Sequence, residues 1–454
     1  MFTTHSLVCF LATLPIARSF PMWNNQPAFT PGFPYGSQPV RGVNLGGWLV
    51  IEPWITPSLF ENTGNSAIVD EWTFGQYQDY NVAQAALLNH WNTWITEGDF
   101  QAIAGAGLNH VRIPIGYWAY NVAPGEPFIQ GQHSYLLKAV GWAAKYNLKV
   151  IIDLHGAPGS QNGHASFDNS GQRLPSPKWQ TDQTNIGRTN KVIKQLAYEF
   201  RSSSNVVSVI APLNDTGTTP TETSGNIPTP VLASYDDILK IHPPRYPTGL
   251  RSNIVVLIHD AFQPLSYWDG FMPQGQFVGV AMDTHIYQMF SYDTVSLDDG
   301  GHIQSACGNA GRLSDYNQNQ LWTIVGEWTP AMTDCAKYLN GRGVGARYDG
   351  SINPGAPSFG SCNGLTGPGW SFSQDYKNFL RQFMGGAGCD ADNGVYFGQV
   401  ITYEKGSGWI QWTWKTESAD EWSYSAGLRY GWIPSDPTQR LYPNICWLML
   451  RIAR

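Results

Sequence analysis

Charge is scarce in this 454-residue chain. Asp, Glu, Lys and Arg together make up 13%, and the acids outnumber the bases for a net charge of −7. A protein that docks on phosphates carries a basic surface, so nucleic acid is excluded as a partner. Past the N-terminus no apolar run reaches the roughly 18 residues that a membrane-spanning helix needs, so no membrane partner is expected. No Gly-rich phosphate loop follows a strand, and no His-x-His pair sits on the first strand. Phosphate-binding and metal-dependent hydrolase barrels are therefore disfavoured, and neither a metal nor another cofactor is expected. The six cysteines contain no Cys-x-x-Cys pair, which removes zinc and dithiol motifs. With 42% hydrophobic residues, disorder is excluded as well.

What the chain does have is aromatic residues, 13% of the total with 19 Trp and 22 Tyr. Flat apolar rings with polar edges suit a sugar ligand, although a large core accounts for most of them. The stretch "LVCFLATLPIA" near the start has the length and position of a secretory signal over residues 1–19, without a Lys or Arg ahead of it. Its removal takes Cys9 and leaves Cys307, Cys335, Cys362, Cys389 and Cys446. In a secreted protein these read as disulfides with one thiol left over.

Eight short apolar runs recur: "GVNLGGWLV", "LNHVRIPI", "LKVIIDLH", "VVSVIAPLND", "NIVVLIHD", "FVGVAMDTHIY", "LWTIVGEW" and "GWIQWTW". They are continuous rather than alternating, as parallel strands covered on both faces are. Helical patterns lie between them. Phe100, Ile103, Ala104 and Gly107 follow i, i+3, i+4, i+7 spacing behind a Thr96/Asp99 capping box. "HSYLLKAVGWAAKYN" and "TNKVIKQLAYEF" read alike, and Thr189 offers the second an N-cap. The expected fold is a single (β/α)8 barrel over residues 41–454, behind an irregular Pro-, Asn- and Gln-rich segment at 20–40. The fourth crossover, about 216–250, is atypical. Pro220, Pro228, Pro230, Pro243, Pro244 and Pro247 confine any helix there to about 232–241.

Such barrels build their sites from the C-terminal strand ends. Those ends carry Asn44 and nearby Glu52, then Arg112, His155, Asn214-Asp215, His259-Asp260, His285 with Tyr287, Glu327, and Trp412/Trp414. One strand-end acid alone is as easily a structural ion pair. Several polar ends together indicate a site, and two carboxylates in one pocket suggest glycoside hydrolysis. Glu327 is then the nucleophile candidate and Asp215 the acid candidate.

"RGVNLGGWLVIEPWITPSLFE", "HVRIPIGYW", "DLHGAPGSQNG", "THIYQMF", "IVGEWTPAMTDCAKYLNG" and "WTWKTESADEW" together resemble the exo-β-1,3-glucanases of glycoside hydrolase family 5. The resemblance spans most of residues 38–450 except 215–250. It implies a (β/α)8 barrel and a secreted, monomeric, retaining enzyme that trims glucose from the non-reducing ends of β-1,3-glucan. It makes Glu327 the nucleophile, with Arg112, Asn214 and Tyr287 beside it and His155 and His285 lining the same subsite. Glu52 would bind hydroxyls of the terminal sugar, Trp414 would form the floor, and Phe167 and Phe290 would clamp an outer glucose. It pairs Cys307 with Cys446 and Cys335 with Cys362, leaving Cys389 free.

One departure stands out. The family has Leu-Asn-Glu-Pro where this chain has Leu213-Asn214-Asp215-Thr216, and that Glu is the general acid/base. Asp is shorter by one bond, roughly 1.5 Å. General acid catalysis is worth about 10²–10⁴-fold, and a misplacement of about 1 Å can cost about a hundredfold. Asn214-Asp215-Thr216 is also a formal glycosylation sequon, read as accidental beside a nucleophile. Two alternatives stay open beside an impaired exo-glucanase: a non-catalytic glucan-binding protein, and a related β-1,6-glucanase or β-glucosidase.

Overall fold

The computed structural model describes residues 29–162, 177–215, 252–273, 277–365, 380 and 398–439. Eight parallel strands close into a barrel in chain order. They are β1 (Val40–Asn44), β2 (His110–Gly116), β3 (Lys149–Gly156), β4 (Val207–Ala211), β5 (Val255–His259), β6 (Val280–Ile286), β7 (Trp322–Trp328) and β8 (Gly408–Gln411). Five lie within their apolar runs, β2 and β3 each extend one glycine past theirs, and β1 starts two residues early and ends at Asn44. The Gly46-Gly47 pair then turns the chain into a loop, with Gly47 at φ 66°.

Alternation along each strand divides two cores. On β3, Ile151 packs inside the barrel, while Val150, Ile152 and Leu154 pack outside it. The inner apolar layer continues with Val40, Val209, Val255, Leu257, Ala281, Ile324 and Ile410. Phe33 and Tyr35 join that cluster from the N-terminal segment and close the bottom of the barrel. The Tyr35 hydroxyl donates to Ser208 Oγ at 2.8 Å and lies 3.1 Å from His110 Nε2. Of the segment expected to be an irregular leader, the described residues 29–39 hold no regular element, yet they seal the barrel floor.

Four helices that pack between the first strands are α1 (Tyr80–Thr93), α2 (Glu97–Gly105), α3 (Gln132–Lys145) and α4 (Gln183–Glu199). The capping box of α2 is present, with Thr96 N–H donating to Asp99 Oδ2 at 2.8 Å. The N-cap of α4 is not Thr189 but Asp182, whose carboxylate accepts from Thr184 N–H. Thr189 lies one turn and more inside the helix. Its hydroxyl bonds back to the Asn185 carbonyl and accepts from Trp179 Nε1. The fourth crossover, including 232–241, lies outside the described residues.

Phe33→Ala removes a buried ring from the barrel floor and lowers stability by about 3–5 kcal/mol. Thermal unfolding should show a lower Tm with kcat unchanged, because the floor lies at the end of the barrel opposite the site. An unchanged Tm contradicts the role of the plug.

Candidate active site

The inward face of β2 carries Arg112, whose side chain is buried. Its Nη1 donates to Glu327 Oε1 at 2.8 Å and to Asn44 Oδ1 at 3.0 Å, and its Nη2 donates to Asn214 Oδ1 at 2.7 Å. Asp153 Oδ2 lies 3.2 Å from Nη1 and Asp283 Oδ2 lies 3.8 Å from Nη2. Burial weakens a guanidinium's hold on its proton, but Asp153, Glu327 and Asp283 reverse that and fix the charge. Both aspartates follow from one strand pattern. Asp153-x-His155 on β3 and Asp283-x-His285 on β6 put acid and imidazole on the same inward face, two residues apart.

Glu327, the penultimate residue of β7, stands opposite His285. A register shift in the β6–β7 ladder pairs Glu327, rather than Gly326, with His285. Gly326 faces Asp283 so closely that a Cβ there would meet Oδ1 at 2.0 Å. The Tyr287 hydroxyl donates to Glu327 Oε2 at 2.9 Å, and His285 Nδ1 stands 3.5 Å from the same oxygen. Burial lifts the Glu327 carboxyl and the Asp215 charge adds to it, while His285 and Arg112 pull it down; the net is a rise to about 7. Burial opposes charge on His285, but Glu327, Asp283 and Asp215 surround it and raise it well above the ordinary range, so it is an imidazolium.

Asp215 stands just past β4, with its backbone in the left-handed region at φ 42°. Its Oδ1 takes the His285 Nδ1–H at 2.8 Å and lies 3.4 Å from His259 Nε2. Burial would raise this carboxyl, yet His285 more than reverses it, so Asp215 is held as an anion well below the usual carboxylate range. Asp215, His259 and His285 offer ligand atoms within 4.8 Å of one another, the spacing of a metal triad. The ring tautomer argues against that use. Ala261 N–H donates to His259 Nδ1 at 3.1 Å, so in neutral His259 the proton sits on Nε2, where a metal would need the lone pair.

A cavity of about 270 Å³ opens over these groups. Of the residues singled out from the sequence, Glu52, His155, Asp215, Tyr287, Phe290, Trp412 and Glu327 line it, together with Trp54, Asn162, Phe262, Leu339 and Trp422. Glu52 accepts from Gly47 N–H at 3.2 Å and from Trp54 Nε1–H at 3.0 Å. His285 does not line the cavity; its side chain is fully buried behind Asp215 and Glu327. Arg112 and Asn214 lie beneath the floor, and burial of Asn214 at 1% exposure leaves no room for a glycan on the sequon.

Trp414 requires a correction. The cavity wall is Trp412, which stacks on His155 at 5.2 Å. Trp414 is turned away, with its indole N–H on Asp99 Oδ1 at 2.9 Å and its ring against Tyr424. Both residues sit in one Trp-x-Trp run past the end of β8, where the strand alternation no longer decides which ring faces inward. Cys335 and Cys362 form the expected bridge, with Cα atoms 5.3 Å apart. Cys307 is disulfide-bonded; Cys446, Cys389 and Phe167 lie outside the described residues.

Asp153, Asp283, Trp54, Phe262 and Trp422 were not singled out from the sequence. For the two aspartates a signal existed, the repeated Asp-x-His at strand ends. Strand periodicity marks none of the three aromatics, which lie past the strand ends, although Trp54 and Trp422 fall within stretches that carry the resemblance.

A model of the cellulase family, glycosyl hydrolase family 5, matches residues 75–211. A glucan 1,3-beta-glucosidase of Blumeria graminis is 42% identical over 420 residues, 91% of each chain. A protein of Aspergillus niger named probable glucan 1,3-beta-glucosidase A is 42% identical over 431 residues, 95% of each chain. Among solved structures, a rutinosidase from Aspergillus niger superposes with a TM-score of 0.61 over 87% of this chain and 98% of its own; at 20% identity that likeness is one of fold. Such identity over nearly the whole length, around a buried Arg–Glu pair and a carboxylate-lined cavity, makes the chain a glycoside hydrolase of family 5.

Proposed function

We propose that this chain is a secreted, monomeric, retaining exo-1,3-β-glucosidase that frees glucose from the non-reducing ends of β-1,3-glucan, with leaving-group protonation weakened at Asp215. The observation that carries the reading is the setting of Glu327. Arg112 and Tyr287 each bond one of its oxygens, which aims the carboxylate into the cavity as a nucleophile. Spacing supports retention. One nitrogen, His285 Nδ1, lies 2.8 Å from Asp215 Oδ1 and 3.5 Å from Glu327 Oε2. The two oxygens are thus at most about 6.3 Å apart, below the roughly 6.5–9.5 Å that leaves room for the water of an inverting enzyme.

Glu52, anchored by Gly47 and Trp54, offers acceptors for hydroxyls of the terminal sugar. Trp412 on His155 offers a flat apolar face, and Phe290 stands further out. Asn214, beneath the floor, braces through its Oδ1 the Arg112 guanidinium that holds Glu327. Residues 1–19 serve as the signal, 20–40 lead into the barrel, and 41–454 form the catalytic domain. Cys307 pairs with Cys446, and Cys389 stays free. The Cys335–Cys362 bridge supports an oxidising compartment.

Glu327→Gln should lower turnover by several orders of magnitude while leaving sugar binding largely intact. Steady-state kinetics and ligand titration of that variant check this, and near-normal turnover contradicts the assignment.

Asp215 reaches less far than Glu and is held ionised, so a nitrophenyl glucoside, whose leaving group needs no proton, should be cleaved better than laminarin. Asp215→Glu should raise the laminarin rate only partly, because the left-handed backbone at 215 suits Asp better than Glu. If the natural chain cleaves laminarin as fast as that variant or faster, Asp215 is a competent acid. Affinity for laminarin with no turnover of either substrate would make the chain a binding protein.

The pH profile follows from Glu327. It attacks only when ionised, so with its carboxyl at about 7 the kcat/KM for the nitrophenyl glucoside is present above that pH and lost as pH falls through it. Asp215→Asn removes a neighbouring negative charge and should move this acid limb to lower pH. An acid limb that stays in place in that variant contradicts the coupling.

A further inference from the structure

A carboxylate outside the cavity remains unexplained by the reaction. Glu71 opens the short helix Glu71–Gln76 and is 2% exposed, with no cation paired to it among the described residues. Three segments meet on it. Its Oε2 accepts from Ile51 N–H at 3.1 Å, and its Oε1 accepts from Trp118 Nε1–H at 2.7 Å and Gln132 Nε2–H at 3.2 Å. Burial drives a carboxyl toward its neutral form and pushes this one up to about 8. Yet all three partners are N–H donors, and a proton on Glu71 would face a donor rather than an acceptor. A group so costly to bury calls for a task.

Its place names the task. Ile51 immediately precedes Glu52, the cavity-lining carboxylate. We infer that Glu71 is a positioning residue for Glu52: it fixes the backbone at Ile51 and so sets where the Glu52 oxygens meet the terminal sugar. The inference rests on the sugar-binding role proposed for Glu52. The Glu52 carbonyl accepts from Ile55 N–H, Thr56 N–H and the Thr56 hydroxyl, all within the loop itself, and the holds from α1 and just past it act further back. His90 Nε2 lies 2.7 Å from the Gly47 carbonyl, Trp94 Nε1–H donates to the Gly46 carbonyl, and Trp48 Nε1–H reaches the Trp91 carbonyl. Those bonds tie residues 46–48 to α1. Glu71 is the side chain that grips the residue next to Glu52, and through Trp118 and Gln132 it ties that grip to the loop after β2 and to α3.

Glutamine separates this role from simple packing. Glu71→Gln keeps the volume and an acceptor for Trp118 and Gln132, but it turns an N–H₂ toward Ile51 N–H, donor against donor. The backbone must move, and Glu52 with it. The expected result is a rise in KM for a nitrophenyl glucoside of roughly tenfold, the scale of one unsatisfied buried donor, with a smaller change in kcat. The decisive readout is a double-mutant cycle with Glu52→Gln. If Glu71 acts through Glu52, the double variant binds hardly worse than Glu52→Gln alone. Full additivity overturns the inference. If Glu52→Gln by itself leaves KM unchanged, the role proposed for Glu52 fails first, and this inference with it. Should Glu71→Gln fold poorly, Gln132→Met removes one donor to the same carboxylate without touching Ile51. It should raise KM in the natural background and not in the Glu52→Gln background; an equal rise in both overturns the inference.

Discussion

The Arg112 guanidinium is the interaction on which the rest of the site depends. It sits where the apolar lower layer of the barrel gives way to a polar upper one, and it is surrounded by Asn44, Asp153, Asn214, Asp283 and Glu327. These come from β1, β3, β6 and β7 and from the segment just past β4. A single planar fork thus gathers five of the eight barrel positions around one charge. Removing one partner of a buried pair typically costs about 3–5 kcal/mol, because the other charge is left stranded. The same burial that makes the cluster expensive fixes Glu327 in place before any substrate arrives, which is the preorganisation the proposed nucleophile needs.

Across the cavity the order of acidity is inverted. A retaining pair works best when the attacking carboxyl is the stronger acid and the protonating one the weaker. Here burial raises Glu327 to about 7, while the His285 imidazolium holds Asp215 ionised. Aspartate is the cause twice over. Its shorter arm keeps it against His285 and His259, and its tolerance of the left-handed backbone lets it stand where the chain turns past β4. On the proposed reading, Glu327 keeps the setting of a nucleophile, whereas Asp215 is poorly placed to protonate a leaving group.

Much of the fold was readable because parallel strands are continuous apolar runs, and eight of them in chain order leave few architectures. The strand-end rule then collected Asn44, Arg112, His155, Asp215, His285 and Glu327 without knowledge of any contact. What it missed has physical reasons. Asp153 and Asp283 lie one step below the rim and read as polar interruptions until the i, i+2 pairing with His155 and His285 is seen. Trp412 and Trp414 cannot be told apart once the strand has ended and alternation no longer decides. Thr189 resembled a helix start because the turn before it, Gln183–Arg188, carries few apolar residues. Phe33 and Tyr35 could not be placed by periodicity, since they plug the barrel from a segment with no regular structure. Glu71 gave no signal at all, for its partners are backbone and side-chain N–H groups from three distant segments.

The most direct test of this account is to trap the glycosyl-enzyme. Incubation with a dinitrophenyl 2-deoxy-2-fluoroglucoside needs no proton for its leaving group and slows the second step, so the sugar should remain on the protein. Peptide mapping by mass spectrometry is then expected to find one fluoroglucosyl unit on Glu327. A label on another carboxylate, or glucose release from ordinary glucosides with no trapped sugar at Glu327, would contradict it.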